Sequence, residues 1–389
     1  MKAMIIGGGI GGLTAAIALR NRGIEAHVYE RSPELKEVGA GISVWPNAVK
    51  ALRGLGLGEG LRSISPEAAD FALRRWDGSF ISRTPARELE RRFGGGVMLL
   101  HRAELLDVLA KSFGGDNLYL DHTCVGIEEV GDGVIARFAN GETARADVLI
   151  GADGFRSTVR SWLGHSGPVR YSGYTAWRSV VRFDPSRILA RILACETWGC
   201  GQLFGIHPLT NGRVYWYATA NTPEGGNDLE RGSVDALLPL VKLFQGWHEP
   251  VEALIRAGGS SILRNDVYDR EPIAQWGRGR VTLLGDAAHP MVPNLGQGAC
   301  QAIEDAAELA WCLTYEPDAE AGLKRYEALR MARTRDIVLA SRRMAALGQV
   351  SSPVLCRLRD LAVWLTPNAV SLRSLTPVIG YESEHWGQG

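Results

Sequence analysis

The sequence predicts an α/β protein. It should contain a parallel-sheet nucleotide-binding unit with an inserted antiparallel meander, a smaller β-sheet-rich unit, and a C-terminal helical segment. Three observations carry this. Glycine is in excess, with 47 of 389 residues against an average near 7%. Three short apolar runs, starting at Lys2, Val148 and Val281, each end in a glycine-rich turn, the arrangement of buried parallel strands that deliver loops to one sheet edge. Between the second and third runs the texture becomes aromatic and alternating, as in a half-buried antiparallel sheet.

Composition narrows the function classes. Lys plus Arg and Asp plus Glu both number 43, and hydrophobic residues make up 46%. This is a globular balance without the basic excess of a nucleic-acid binder. No apolar stretch approaches the roughly 20 residues of a membrane span. The β-like run at Lys2 leaves no room for a signal peptide. The six cysteines are scattered, with no C-x-x-C pair, so neither a zinc site nor a disulfide framework is expected. The expected setting is the reducing cytoplasm, with no metal. Whether the chain is a monomer or a homodimer stays open.

The first element is Lys2-Ala-Met-Ile-Ile6, followed by Gly7-Gly8-Gly9-Ile10-Gly11-Gly12. Gly7, Gly9 and Gly12 satisfy G-x-G-x-x-G. Leu13 to Arg22 has helical periodicity and stops at Gly23, and Ile24 to Tyr29 is a second strand closed by Glu30. In this fingerprint Gly7 permits the tight turn, Gly9 admits a pyrophosphate close to the backbone, and Gly12 allows helix–strand packing, while the helix N-terminus faces the phosphates. Glu30 stands where a carboxylate accepts from a ribose 2′-OH, which favours FAD or NAD over NADP.

Residues 125–147 carry two hairpin signals, Gly131-Asp132-Gly133 and Asn140-Gly141, and predict a three-stranded antiparallel meander. The run Val148-Leu149-Ile150 then leads to Gly151-Ala152-Asp153-Gly154-Phe155-Arg156-Ser157. Val281 to Leu284 leads to Gly285-Asp286-Ala287-Ala288-His289-Pro290, and Pro293-Asn294-Leu295-Gly296-Gln297-Gly298 opens a further helix through Leu309. Each turn brings an aspartate to a strand end, and the last aims a helix N-terminus at an anion.

Taken together these three motifs resemble the single-component FAD-dependent aromatic hydroxylases, the para-hydroxybenzoate hydroxylase-like (group A) monooxygenases. The loop Gly39 to Asn47, the segment Leu100-His101-Arg102-Ala103-Glu104-Leu105, and Tyr326-Glu327 with Arg330 and Arg333 are also similar. The resemblance spans about residues 1–345 and is nearest the salicylate hydroxylase-like and flavin-dependent urate hydroxylase branch. It implies a Rossmann-like FAD-binding domain from 1–70, 98–168 and 278–345, a substrate domain from 71–97 and 169–277, and a C-terminal helical segment and tail at 346–389.

The resemblance also implies site residues. Gly7, Gly9, Gly12 and Glu30 would bind the ADP half of non-covalent FAD, and Arg31 belongs to the cofactor set. Arg102 and Asp286 would meet its pyrophosphate or ribityl region. Pro293 and the turn of Gly296, Gln297 and Gly298 would line the ring system, with the amides of that turn near flavin N1 and C2=O, and Ala299 belongs to the cofactor set. Ser43, Val125 and Asp153 complete the cofactor set. Asp153 and Arg156 belong to a turn linked to both FAD and NAD(P)H, although an aspartate there also serves as an internal cap. His289 is expected to shape its loop rather than act as a base. The implied reaction consumes NADH or NADPH and O2, and hydroxylates or epoxidises an aromatic or otherwise electron-rich small molecule through a C4a-hydroperoxyflavin. An FAD dehydrogenase without oxygen transfer and a non-catalytic nucleotide scaffold are the alternatives.

In the substrate domain, Tyr171 to Arg182, Gly201 to Pro208 and Arg213 to Ala220 read as strands, and 71–97 as an edge with a hairpin turn at Trp76-Asp77-Gly78. Alternation puts Val214, Trp216 and Ala218 on one face and Tyr215 and Tyr217 on the other. Arg178, His207 and Tyr215 are the candidate substrate-handling residues. Relative to the urate branch, Leu203 falls near that branch's catalytic arginine, which points to a more apolar substrate. Residues 233–256 read as one helix. A helix to about Ala346 is expected to carry its arginines outward, Glu327 and Arg330 being a solvated i,i+3 pair, with a further helix and an irregular tail after it.

Overall fold

Three short apolar runs, each stopped by glycine, set three neighbouring strands of the central layer. The computed structural model describes residues 1–35, 40–65, 70–183, 194–225, 237–383 and 385–386. Along these the chain runs β1 (Lys2–Ile6), α1 (Ile10–Asn21), β2 (Glu25–Tyr29), β3 (Gly41–Val44), α2 (Pro46–Gly54), α3 (Gly58–Ile64), β4 (Phe71–Arg75), β5 (Phe80–Thr84), α4 (Ala86–Phe93), β6 (Met98–His101), α5 (Arg102–Phe113), β7 (Leu118–Tyr119), β8 (Cys124–Val130), β9 (Gly133–Phe138), β10 (Thr143–Ala146), β11 (Val148–Gly151), α6 (Thr158–Trp162), β12 (Arg170–Arg182), β13 (Ala194–Trp198), β14 (Gln202–Pro208), β15 (Arg213–Asn221), α7 (Leu238–Leu243), α8 (Val251–Gly258), β16 (Leu263–Asp269), β17 (Val281–Leu283), α9 (Gly298–Tyr315), α10 (Ala319–Gly348), α11 (Pro353–Leu365) and α12 (Asn368–Ile379).

Strands β17, β11, β1, β2 and β7 form a parallel sheet in that order. The three glycine turns therefore leave neighbouring strands at one sheet edge, where open α/β folds bind ligands. Helix α1 lies against α9: a Cβ added at Gly11 would run into Leu284 and Ala302, and one at Gly12 into the Gly7 carbonyl. The expected meander is present as β10-β9-β8, with Gly131 and Gly141 at positive φ in its turns.

A second sheet has seven strands in the order β16-β12-β15-β14-β13-β4-β5. The Trp76-Asp77-Gly78 hairpin turn closes β4 and β5 at its edge, with Ser79 N donating to Asp77 Oδ1 at 2.9 Å. The alternation along β15 is as the sequence predicts. Val214, Trp216 and Ala218 pack with Phe204 and Ile206 under α7 and α8, while Tyr215 faces the other way, toward Ala40, Leu99 and Leu209.

Three expectations need correction. The span read as one helix from 233 to 256 is two, α7 and α8, because Gly246 takes a positive φ and Pro250 caps the second. Residues 233–236 lie outside the described residues. The tail is not irregular after α11: Pro367 stops that helix and caps α12. The arginines of α10 are not all on a solvated face. Arg330 is fully buried, and Glu327 accepts from Thr282 Oγ1 at 2.8 Å.

Arg330 ends in a closed polar network. Its Nε meets Asp305 Oδ1 at 2.7 Å, its Nη1 meets Glu304 Oε2 at 2.6 Å, and its Nη2 donates to Gln301 Oε1 at 2.7 Å. Arg333 adds a second pair to Glu304 at 2.8 Å. Burial pushes both carboxyls up, but the charges facing them win. Arg330 and Arg333 hold Glu304 below the usual carboxylate range, and His289 with Arg330 does the same for Asp305. Such pairs contribute little over an apolar packing, yet removing one partner strands a buried charge.

Arg330→Met should lower unfolding free energy by about 3–5 kcal/mol in urea melts at neutral pH. Because the two carboxyls are held low in the folded state, their contribution is present above the ordinary carboxylate pKa of about 4 and lost as pH falls through the depressed folded value. The gap between wild type and variant should therefore narrow on acidification. A gap that stays constant down to the acid limit would place the cost elsewhere.

Candidate active site

The site starts from the backbone of the first turn. Gly7 sits at φ +112°, and a Cβ there would strike the Ala152 carbonyl, so the first and second glycine turns lie in contact. A Cβ on Gly9 would meet no atom within 4 Å, so the backbone is open to a ligand at that residue. Gly9 caps α1 without a side-chain bond, and the first bond of the helix is Leu13 N to Gly9 O at 2.9 Å. The amides before Leu13 thus face the opening. Glu30 accepts from Gly8 N at 2.7 Å and from Ser32 N at 2.9 Å. It braces the glycine loop from the end of β2. Arg31 is exposed beside it.

The second turn is engaged internally. Asp153 accepts from Ser157 Oγ and from Thr158 N at 2.7 Å, capping α6. Burial pushes its carboxyl up despite these bonds. Beside it, Arg156, Arg160, His165 and Arg270 line an open cleft of about 380 Å³. Val125 is exposed on β8 at a bulge opposite β9.

The third turn carries the most open chemistry. Asp286 is exposed and takes no hydrogen-bond partner among the described residues. A Cβ on Gly298 would sit 3.8 Å from its Oδ1, which places the carboxylate at the head of α9. Gly296 holds φ +61° and passes under the Trp45 indole, its would-be Cβ 2.8 Å from Trp45 Nε1. Gln301 N to Gln297 O at 2.8 Å is the first bond of α9, so the amides of Gly298, Ala299 and Cys300 precede it uncapped by any side chain. Pro293 is exposed at the start of this loop. Gln297 faces inward instead: its buried side chain accepts from Asn47 Nδ2 and Gln301 Nε2, each at 3.0 Å. Only its backbone can face a ligand.

Strand β3 bridges this region to the second sheet. It carries Ser43 and pairs with β6, after which Arg102 starts α5 with its amide on the Ala40 carbonyl at 2.9 Å. A Cβ on Gly41 would collide with the Tyr215 ring. Tyr215, His207 and Tyr217 form one aromatic wall, with ring centroids 5.8 and 5.5 Å from His207. Burial raises the Tyr215 pKa, and Arg178 and Arg102 partly oppose it. The phenol therefore stays protonated at neutral pH, and its hydroxyl takes no partner among the described residues. Burial alone brings His207 down to about 4, so its imidazole is neutral, and its Nδ1 is buried without a partner. Arg178 donates to Asn265 Oδ1 at 2.9 Å, with its Nε buried and unpaired. Leu203 is only 2% exposed, packed with Leu73, Ile81 and Trp198.

His289 is buried and bonds Asp305 Oδ2 through Nε2 at 2.6 Å, which fits a loop-shaping role. Sequence reasoning singled out the loop from Gly39 to Asn47 without giving Trp45 or Asn47 a role, and it missed Asp305. Asn47 Nδ2 bridges Gln297 and Glu304 (2.6 Å to Glu304 Oε1), and Asp305 Oδ2 also accepts from Gly285 N at 3.1 Å. The available signal was the acid pair Glu304-Asp305 inside an otherwise apolar helix. Open glycine backbone, an exposed carboxylate and two uncapped helix starts together suit the pyrophosphate, ribityl chain and ring of FAD.

Comparison with known proteins agrees with this fit. A family model described as the FAD binding domain matches residues 1–341. The aurachin C monooxygenase/isomerase of Stigmatella aurantiaca is 44% identical over 361 residues, covering 92% of this chain and 93% of that protein. The 3-amino-4-hydroxybenzoate 2-monooxygenase of Streptomyces cremeus is 36% identical, covering 96% and 94%. A Klebsiella pneumoniae protein solved with FAD and uric acid superposes with a TM-score of 0.91 at 34% identity, covering 97% of this chain and 96% of its own.

Gly9→Val should fold, since its Cβ points into open space, yet purify colourless because the side chain fills the approach to the pyrophosphate. Asp286→Ala should weaken FAD by about 1.5–3 kcal/mol, the cost of a charged hydrogen bond. Flavin absorbance per protein after gel filtration reads both. A yellow Gly9→Val protein would remove the first turn from the site.

Proposed function

The chain belongs to the FAD-binding-domain family and is an FAD-dependent monooxygenase, and from this we propose that it hydroxylates or epoxidises an uncharged, largely apolar aromatic molecule with NADH or NADPH as reductant. FAD, when bound, supplies electron transfer from the nicotinamide and the activation of O2. The work of the chain is to bind, orient and exclude water.

The glycine turn at 7–12 and Glu30 would hold the ADP half. Asp286 and Arg102 would hold the ribityl and pyrophosphate region. The amides of Gly298 and Ala299, at the positive end of α9, would favour negative charge on the ring. The cleft beside the second turn, with the guanidiniums of Arg156, Arg160 and Arg270, suits the phosphates of the nicotinamide co-substrate. Six cysteines, none of them in a disulfide, suit a cytoplasmic setting.

The observation that carries the substrate reading is the inner face of the second sheet. Tyr215 offers a protonated phenol and His207 a neutral imidazole, Tyr217 donates its hydroxyl to the Glu196 carboxylate on the same face, and Leu203 adds no charge. Such a wall suits a neutral ring bearing a hydroxyl or carbonyl better than urate, the substrate named for several relatives. Tyr215 is the residue proposed to orient it, and Arg178 lends positive potential beside that contact. A screen of phenols, N-heteroaromatics and polyketide aromatics for accelerated flavin reduction tests the class. Incorporation of labelled O2 separates oxygen transfer from a dehydrogenase, which would turn over under argon.

Tyr215→Phe removes only a hydroxyl, so fold and flavin content should survive. Coupled turnover should fall by about 10- to 100-fold, with a matching rise in hydrogen peroxide per NAD(P)H, in line with one lost orienting bond. An unchanged ratio of product to NAD(P)H would show that this hydroxyl does not touch substrate.

A further inference from the structure

Helix α11 is amphipathic in the reverse sense. Its buried stripe is Cys356, Arg359, Asp360 and half-buried Val363. Arg359 Nη2 donates to Gly199 O at 3.0 Å, its guanidinium lies 4.7 Å from the Trp198 ring centroid, and Asp360 pairs with Arg75 at 3.3 Å. The polar residues thus hold the helix to β4 and β13. The apolar residues face away: Val354 is 65% exposed, Leu358 56%, Trp364 60% and Leu365 63%, with Leu355 and Leu361 beside them. A surface helix ordinarily buries its apolar stripe, and an outward one of this size marks a contact surface.

The charges on this segment indicate what covers it. From 351 to 379 the charged residues are Arg357, Arg359, Asp360 and Arg373. The one acid is buried against Arg75 and Arg359, so every exposed charge there is an arginine. A stable protein interface engages about 20–30 residues a side, far more than one short helix face. A second copy would also bring arginines to a surface with no exposed acid of its own segment to meet them. Aliphatic residues and a tryptophan facing out, on a segment whose exposed charges are both arginines, match a helix lying in the interface of an anionic bilayer. No helix among the described residues is long and apolar enough to cross a membrane, so the contact is with the surface.

We propose that α11 docks the protein on an anionic phospholipid membrane. Val354, Leu355, Leu358, Leu361, Trp364 and Leu365 enter the boundary between headgroups and acyl chains, and Arg357 and Arg373 face the lipid phosphates. This contact is independent of which ring the site oxidises. It sets the sheet that carries Tyr215 close to the bilayer.

The test is flotation of the FAD-loaded protein with vesicles of phosphatidylcholine alone or mixed with phosphatidylglycerol, at low and high salt. Wild type should float with the anionic vesicles, lose this with salt, and stay behind with neutral ones. Leu358→Glu/Leu365→Glu and, separately, Arg357→Gln/Arg373→Gln should each weaken binding by about ten- to thirtyfold while keeping full flavin content and melting temperature. Three results would overturn the proposal: no flotation of wild type, flotation that neither variant changes, or a wild-type dimer in light scattering that the leucine variant splits. The last would assign the face to a second copy of the chain.

Discussion

One buried guanidinium organises the site. Arg330 reaches from α10 to Glu304 and Asp305 on α9, and those two acids do more than neutralise it. Asp305 also bonds the Gly285 amide and the His289 ring, so it fixes the turn that exposes Asp286. Glu304 also bonds Asn47 on α2, which in turn holds Gln297 at the cap of α9. The amide array at that helix start, the loop beneath Trp45 and the Asp286 carboxylate are all positioned by groups that cannot shift without stranding a buried charge. A ligand-facing surface of bare backbone has few side chains of its own to stiffen it, and the rigidity comes from the layer beneath.

The same helix joins the two sheets. Further along α10, Arg342 meets Asp269 at 2.6 Å, and Asp269 also pairs with Arg170 at 2.7 Å on β12. Tyr174 on β12 donates to Asn294 Oδ1 at 2.5 Å in the loop before α9. The aromatic wall of the second sheet is therefore tied to the nucleotide-binding layer by ion pairs at one end and by a phenol at the loop before α9. Orientation of a substrate relative to a cofactor depends on that registry more than on any single pocket contact.

Much of the parallel sheet was legible in the sequence because its turns need glycine for reasons that leave no substitute. Gly7 has a backbone only glycine tolerates, and Gly12 has no room for a Cβ. The β15 alternation was legible for a different reason, since period two admits only two arrangements and Trp216 with Val214 belongs inside. Arg330 was misread because an i,i+3 acid–base pair on a helix looks the same whether it faces water or a neighbouring helix. Its true partners sit on α9, and nothing local records them. The long helix expected at 233–256 failed where Gly246 and Pro250 outweighed the apolar periodicity around them. The inward turn of the Gln297 side chain was likewise invisible, because it depends on Asn47 of α2, 250 residues away in sequence.

The way the second sheet is stitched has a consequence for how the chain is made. Strand β4 joins that sheet, next to its edge strand β5, only because β13 pairs with it in parallel, Phe71 beside Ala194, and the parallel layer in turn waits for β17 to join β11. Neither sheet can close on the residues that leave the ribosome first. The early hairpin β4–β5 must stay unpaired on one edge until β13, which begins more than 100 residues later, is synthesised, and such non-local closure is slow. During that interval its open edge is a template for wrong pairing. The interleaving that ties the two sheets together in the finished fold therefore leaves the nascent chain with an open strand edge until its later strands arrive.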